Sequence, residues 1–194
     1  MSYTLTVVTP PATPLVTLAD AKAMLLIDHT ADDALISALI AAATVEAQGV
    51  AARSFVTQTW LLALDAWPDD GVVRLPRPPL QSVVSMSYFD ADNVERTIAA
   101  TDYIVIADTT PGLIVPAAGK AWPTDLRAVA PIRIRYTAGY GTAADVAVSA
   151  QGEIVQLVKL LIAVDYESRE ALSSQAATQR ERVLNGCKRH WGWE

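Results

Sequence analysis

The sequence predicts an α+β protein: a helical bundle of N-terminal and C-terminal helices with an antiparallel β domain inserted between them. Three observations carry this reading. Apolar residues recur at three- and four-residue spacing from Leu35 to Val50, and again from Ile154 to Ile162. Between these stretches the pattern changes to short alternating runs separated by Asp, Gly and Pro. No crossover helix fits between those runs, so antiparallel pairing is the economical choice.

Element by element, Pro10, Pro11 and Pro14 deny the start of the chain its helical hydrogen bonds and predict an extended arm. Thr17-Leu18-Ala19-Asp20 is a near capping box, opening a short helix through Ala19 to Leu26. A second start signal, Thr30-Ala31-Asp32-Asp33, precedes Leu35, Ile36, Leu39, Ile40, Ala43, Ala47 and Val50, a long amphipathic helix running to about Phe55. Strands follow at Thr57 to Leu64, at Val72-Val73 after the turn residues Asp69-Asp70-Gly71, and at Val83–Phe89, Tyr103–Ala107, Leu113–Val115 and Ile132–Thr137. Helical spacing returns at Glu153 and continues to about Leu172. Beyond Ser173-Ser174-Gln175 no apolar period is sustained, which predicts an exposed tail. The expected division is therefore an arm and helices over 1–56, a β domain over 57–142, a C-terminal helix over 143–178 and a tail over 179–194.

At 194 residues, with 52% apolar and 19% charged residues, the chain can bury a sizeable core as one domain with an insertion. Its net charge of −6 has the wrong sign for gripping a nucleic-acid backbone. The single Cys187 excludes an internal disulfide and any zinc site built on cysteine pairs, and it fits a reducing cytoplasm. Met1-Ser2-Tyr3-Thr4 lacks a basic segment followed by an apolar one, and the uninterrupted apolar runs are short, so a soluble product with no membrane association is expected.

A set of segments in order carries a family resemblance. They are Leu18-Ala19-Asp20-Ala21-Lys22-Ala23-Met24-Leu25, Asp32-Asp33-Ala34-Leu35-Ile36, the alanine-rich Leu39 to Ala47, Arg53, Thr57-Gln58-Thr59-Trp60 and Asp65-Ala66-Trp67-Pro68. Leu75-Pro76-Arg77-Pro78-Pro79-Leu80-Gln81-Ser82-Val83, Tyr88-Phe89-Asp90 and Tyr136-Thr137-Ala138-Gly139-Tyr140-Gly141 continue it, so that it spans most of 17–170. In order and spacing the chain resembles the phage head–tail connector (adaptor) proteins of siphophages, prophages and gene transfer agents. It departs from them at Ala51-Ala52, where Thr-Gly is usual before Arg53, and in lacking a proline near Ser149.

The resemblance implies a structural, non-enzymatic subunit: a dodecameric ring beneath the portal of a tailed phage or phage-like particle, compatible with a monomer when isolated. The helices would form the body of the ring, and the C-terminal segment would reach the portal. Downstream stopper or tail components would be further partners, and DNA would pass through the channel without sequence-specific binding. The protein would be made in the host cytoplasm and reside at the head–tail interface of the virion. No cofactor, metal site or catalytic residue is expected.

Gly139-Tyr140-Gly141-Thr142-Ala143-Ala144 fits a loose dinucleotide pattern but lacks the flanking βαβ unit, so a glycine-permitted turn is the better reading. Asp65, Asp69 and Asp70 could serve a virion-associated hydrolase as paired carboxylates or cation ligands, though turn residues and solvated charges are the better reading. His29 and His190 have no partner at ligand spacing, and Cys187 has no paired base. Trp60, Trp67 and Trp122 lie in or beside strand patterns, and Trp67 with Trp122 could alternatively mark a carbohydrate- or receptor-binding β module. Arg180, Arg182, Lys188, Arg189, Trp191 and Trp193 combine charge with aromatic area at the end of a polar segment, and are the expected partner-binding residues for the portal or an adjoining connector.

Overall fold

The computed structural model describes residues 3–148, 152–168 and 174–191, the last of these with side chains over 175–185. The elements are β1 (Tyr3–Thr9), α1 (Leu18–Leu25), α2 (Asp33–Ala51), β2 (Gln58–Leu64), β3 (Val73–Leu75), β4 (Leu80–Phe89), β5 (Glu95–Ile98), β6 (Tyr103–Ile106), β7 (Gly112–Pro116), β8 (Ile132–Ala138), α3 (Ala143–Val148), α4 (Gly152–Glu167) and α5 (Ser174–Trp191). They fall into two units, one built from 1–11 and 57–139, the other from 12–56 and 140–194. The α+β class is as the sequence predicts, with helices flanking the strand region.

In the helical unit, Thr17 caps α1 by accepting from the Asp20 amide at 3.1 Å, while its hydroxyl donates to the Asp20 carboxylate at 2.7 Å. Lys22 then reaches Asp33 at 2.6 Å, tying α1 to the first turn of α2. Helix α2 buries Ile36, Ile40, Ala43, Ala47 and Ala51 along one face, as the spacing requires. The facing stripe of α4 is Ile154, Val158, Leu161 and Ile162, and Phe55 completes the core between them. By length and composition α2 could cross a bilayer, because its alanines accumulate where the isolated apolar runs looked too short; its buried face makes it a core helix here.

Ala52, which stands where the resembled proteins usually carry glycine, ends α2 in the left-handed region at φ 51°, its amide donating to the carbonyls of Gln48 and Gly49. The helix therefore stops at Ala51, short of the predicted Phe55. The Tyr140 amide donates to the Phe55 carbonyl at 2.8 Å, and Arg53 donates to the Tyr140 hydroxyl at 2.9 Å.

The β unit is two antiparallel sheets, one ordered β1-β2-β8-β4-β5 and one ordered β3-β7-β6. Alternation in β2 and β8 sends Trp60, Leu62, Leu64, Ile132, Ile134 and Tyr136 inward against Val73, Leu75, Ile114 and Met86. Tyr136 is fully buried and donates to the Pro76 carbonyl at 2.6 Å, which satisfies its hydroxyl; burial pushes that hydroxyl's pKa well above the ordinary tyrosine value.

Four segments differ from the sequence reading. The extended arm is β1, which pairs with β2 and so belongs to the β unit and not to the helices. Strand β5 adds an edge beside β4. Helix α3 starts immediately after the Gly139–Thr142 turn. The segment expected as an exposed tail is helical from Ser174 to Trp191. Strand β1 is masked by the prolines that follow it, β5 and α3 are short, and α5 is polar along most of its length.

Candidate docking site

Helix α5 packs against α4 and α2, although few of its described residues are apolar. Val183 and Leu184 supply its apolar contacts with the helical core. The stronger tether is polar: Arg180 donates from Nε to Asp165 Oδ1 at 2.8 Å and from one terminal nitrogen to Glu46 Oε1 at 2.8 Å, while the other pairs with Glu46 Oε2. This is a guanidinium gripped in a fork by one carboxylate and braced by a second. All three side chains are partly covered, and the two carboxylates raise the Arg180 pKa above its ordinary value.

The cluster places the expected partner-binding residues unequally. Arg180 points into its own subunit, where it anchors α5. Arg182 is exposed on the same helix. Lys188, Arg189 and Trp191 lie on the helical backbone but their side chains, like all of Trp193, are outside the described residues. Glu46 and Asp165 were not singled out by sequence reasoning. The available signal was a lone carboxylate within each of two helix stretches that hold no other charge, Ala41–Val50 and Leu160–Tyr166.

The rival sites resolve into structural roles. Asp65 accepts from the Ala130 amide at 3.0 Å, and Asp70 accepts from the Val72 amide at 3.0 Å and from Arg74 at 2.8 Å. That Arg74 contact, with the Val72 amide, holds the Asp70 carboxyl below its ordinary pKa. Asp69 is exposed, and among the described residues no group of three His, Cys, Asp or Glu could hold a metal. Trp67 and Trp122 stack on each other with centroids 4.4 Å apart and planes 9° from parallel. Each indole also clips a loop, Trp67 donating to the Pro123 carbonyl at 2.9 Å and Trp122 to the Gly71 carbonyl at 2.8 Å.

The glycine motif is a helix cap. Gly139 and Gly141 take φ of 135° and 116°, and the Thr142 amide and hydroxyl both donate to Asp145 Oδ2, at 2.7 and 2.8 Å. A Cβ on Gly141 would sit 2.6 Å from that carboxylate, so the close approach the glycine permits is to Asp145. His29 is exposed beyond the end of α1, and the side chains of Cys187 and His190 lie outside the described residues.

With this geometry in view, the model of the phage gp6-like head-tail connector protein family matches residues 15–108. Over that segment the chain is similar to head–tail connector proteins. Solved structures agree over nearly its whole length. The neck of an empty gene transfer agent (GTA) particle computed with C6 symmetry holds a chain with TM-score 0.73 and 24% identity, covering 93% of this chain and 94% of that one. A chain in the virion of a native GTA particle gives 0.72 and 26%, over 92% and 94%. A chain in the neck of a native GTA particle computed with C12 symmetry gives 0.70 and 25%, over 95% and 94%. No curated protein matches the sequence. All three similar chains are parts of GTA particles, in the neck or the virion.

Proposed function

We propose that this connector subunit forms a twelve-membered ring in the neck of a tailed-phage-like particle, between portal and tail. The observation that carries this is the agreement of fold over more than nine-tenths of the chain with a component of a neck computed with C12 symmetry. Heterologous contacts repeated around an axis close such a ring, and the ring encloses a channel. The net charge of −6 suits a wall along which DNA slides without being held.

Within this reading the C-terminal helix is the docking element. Arg180 holds the helix on its own subunit, leaving Arg182, Lys188, Arg189, Trp191 and Trp193 to meet the portal or an adjoining connector component. Particles assembled with a chain lacking residues 179–194 should contain heads and tails that fail to join. Normal joining, counted by negative-stain microscopy, would remove the docking role from this segment. Wild-type necks in which the chain is present as a single copy would remove the ring.

A further inference from the structure

The β unit leaves four strand edges open, and they are not alike. Strand β3 carries Arg74, ion-paired to Asp70; β5 carries Glu95, bonded to Ser87, and Arg96, bonded to Asp90. Charged side chains along a strand are one device that stops a sheet edge from pairing with another chain. Strands β1 and β6 carry none. Strand β1, Tyr-Thr-Leu-Thr-Val-Val-Thr, is paired on one side only, and every residue but Leu5 is exposed, including Tyr3 at 56%, Val7 at 40% and Val8 at 43%. A bulge between Val7 and Thr9 leaves Tyr3–Val7 as a regular run with an unpaired outer edge. Strand β6, Tyr-Ile-Val-Ile, is the edge of the three-stranded sheet, with Ile104 50% and Val105 36% exposed.

We infer that β1 of one copy adds to the open edge of β6 in the neighbouring copy, joining subunits by a shared backbone ladder. The inference rests on the ring reading above. A ring about an axis needs two different surfaces on each subunit, one to give and one to receive. Two uncharged edges on two different sheets meet that need, whereas one alone would favour a two-fold pair. The occupant is therefore a second copy of this chain, with main-chain hydrogen bonds supplying adhesion and the exposed β-branched side chains supplying fit.

The test uses particles carrying the chain with Cys187→Ser, Thr6→Cys and Val105→Cys, treated with a short bismaleimide that tolerates a small register offset. The expected result is a ladder of covalent multiples of 20.8 kDa. Each single-cysteine variant should give monomer only. A dimer from either single variant, or a product containing a different protein, overturns the pairing of β1 with β6 of a second copy. Intact rings without a ladder overturn this inference and leave the ring reading standing, whereas necks without rings overturn both. As a second arm, Thr4→Lys with Thr6→Lys should lower ring yield at least tenfold while leaving the thermal melt of the isolated chain unchanged; undiminished yield overturns the proposal.

Discussion

Arg180 Nε lies 2.8 Å from Asp165 Oδ1 while its terminal nitrogens grip Glu46, so one side chain of α5 binds the two helices it rests on. Removing that guanidinium leaves two carboxylates facing each other with nothing between them. Arg180→Ala should destabilise the docking of α5 by about 1–2 kcal/mol, the range for a partly covered, charge-assisted network. Limited proteolysis should then cut near residue 170 sooner than in the wild type, with the rest of the chain unaffected. Arg180→Lys should recover only part, because an ammonium cannot fork onto Glu46 and reach Asp165 together.

Ala52 occupies a left-handed helix cap at φ 51°, a conformation that glycine adopts without penalty. Ala52→Gly should therefore stabilise the protein by about 0.5–1 kcal/mol, the strain relieved less the entropy glycine adds to the unfolded chain. A rise in the urea midpoint at constant m-value is the expected readout.

The Trp67–Trp122 stack closes two loops as well as burying area. Trp122→Ala should cost about 2–3 kcal/mol, toward the low side for a large aromatic since both rings are only partly buried. Trp67→Ala in the Trp122→Ala background should cost less than it does alone, which a double-mutant cycle by chemical denaturation measures.

Asp90 accepts from the Val94 amide at 2.8 Å and from Arg96 at 2.9 Å, and these contacts hold its carboxyl below the ordinary value of 3.8. A carboxyl whose pKa is lowered on folding adds stability that is fully present above the unfolded value and is lost as pH falls through the folded one. Asp90→Asn should thus be less stable than the wild type at pH 7. The gap between their urea midpoints should shrink steadily below about pH 4.

Much of this architecture is written in hydrophobic spacing. Ile36, Ile40, Ala43 and Ala47 announce α2, Ile154, Val158 and Leu161 announce α4, and alternation around Leu62 and Ile134 announces the central strands. What spacing cannot reveal is contact between distant residues. The Glu46–Arg180 pair spans 134 positions, and α5 is polar along most of its length with Val183 and Leu184 as its apolar contacts, so the helix that carries Arg180 and Arg182 reads as a tail. Strand β1 was hidden for a different reason: Tyr3, Leu5 and Val7 do alternate with Thr4 and Thr6, but the prolines that follow dominate the local signal.

The order of strands in the larger sheet has a consequence for how the chain is made. Strand β8, the middle of the sheet, is the last of the eight to leave the ribosome, yet it alone bridges the β1–β2 pair to the β4–β5 pair. Until Ile132–Ala138 emerges, two half-sheets wait with their inner edges bare. The larger sheet therefore closes only once the chain has been made past residue 138, and a chain cut short of that point keeps two unpaired inner edges.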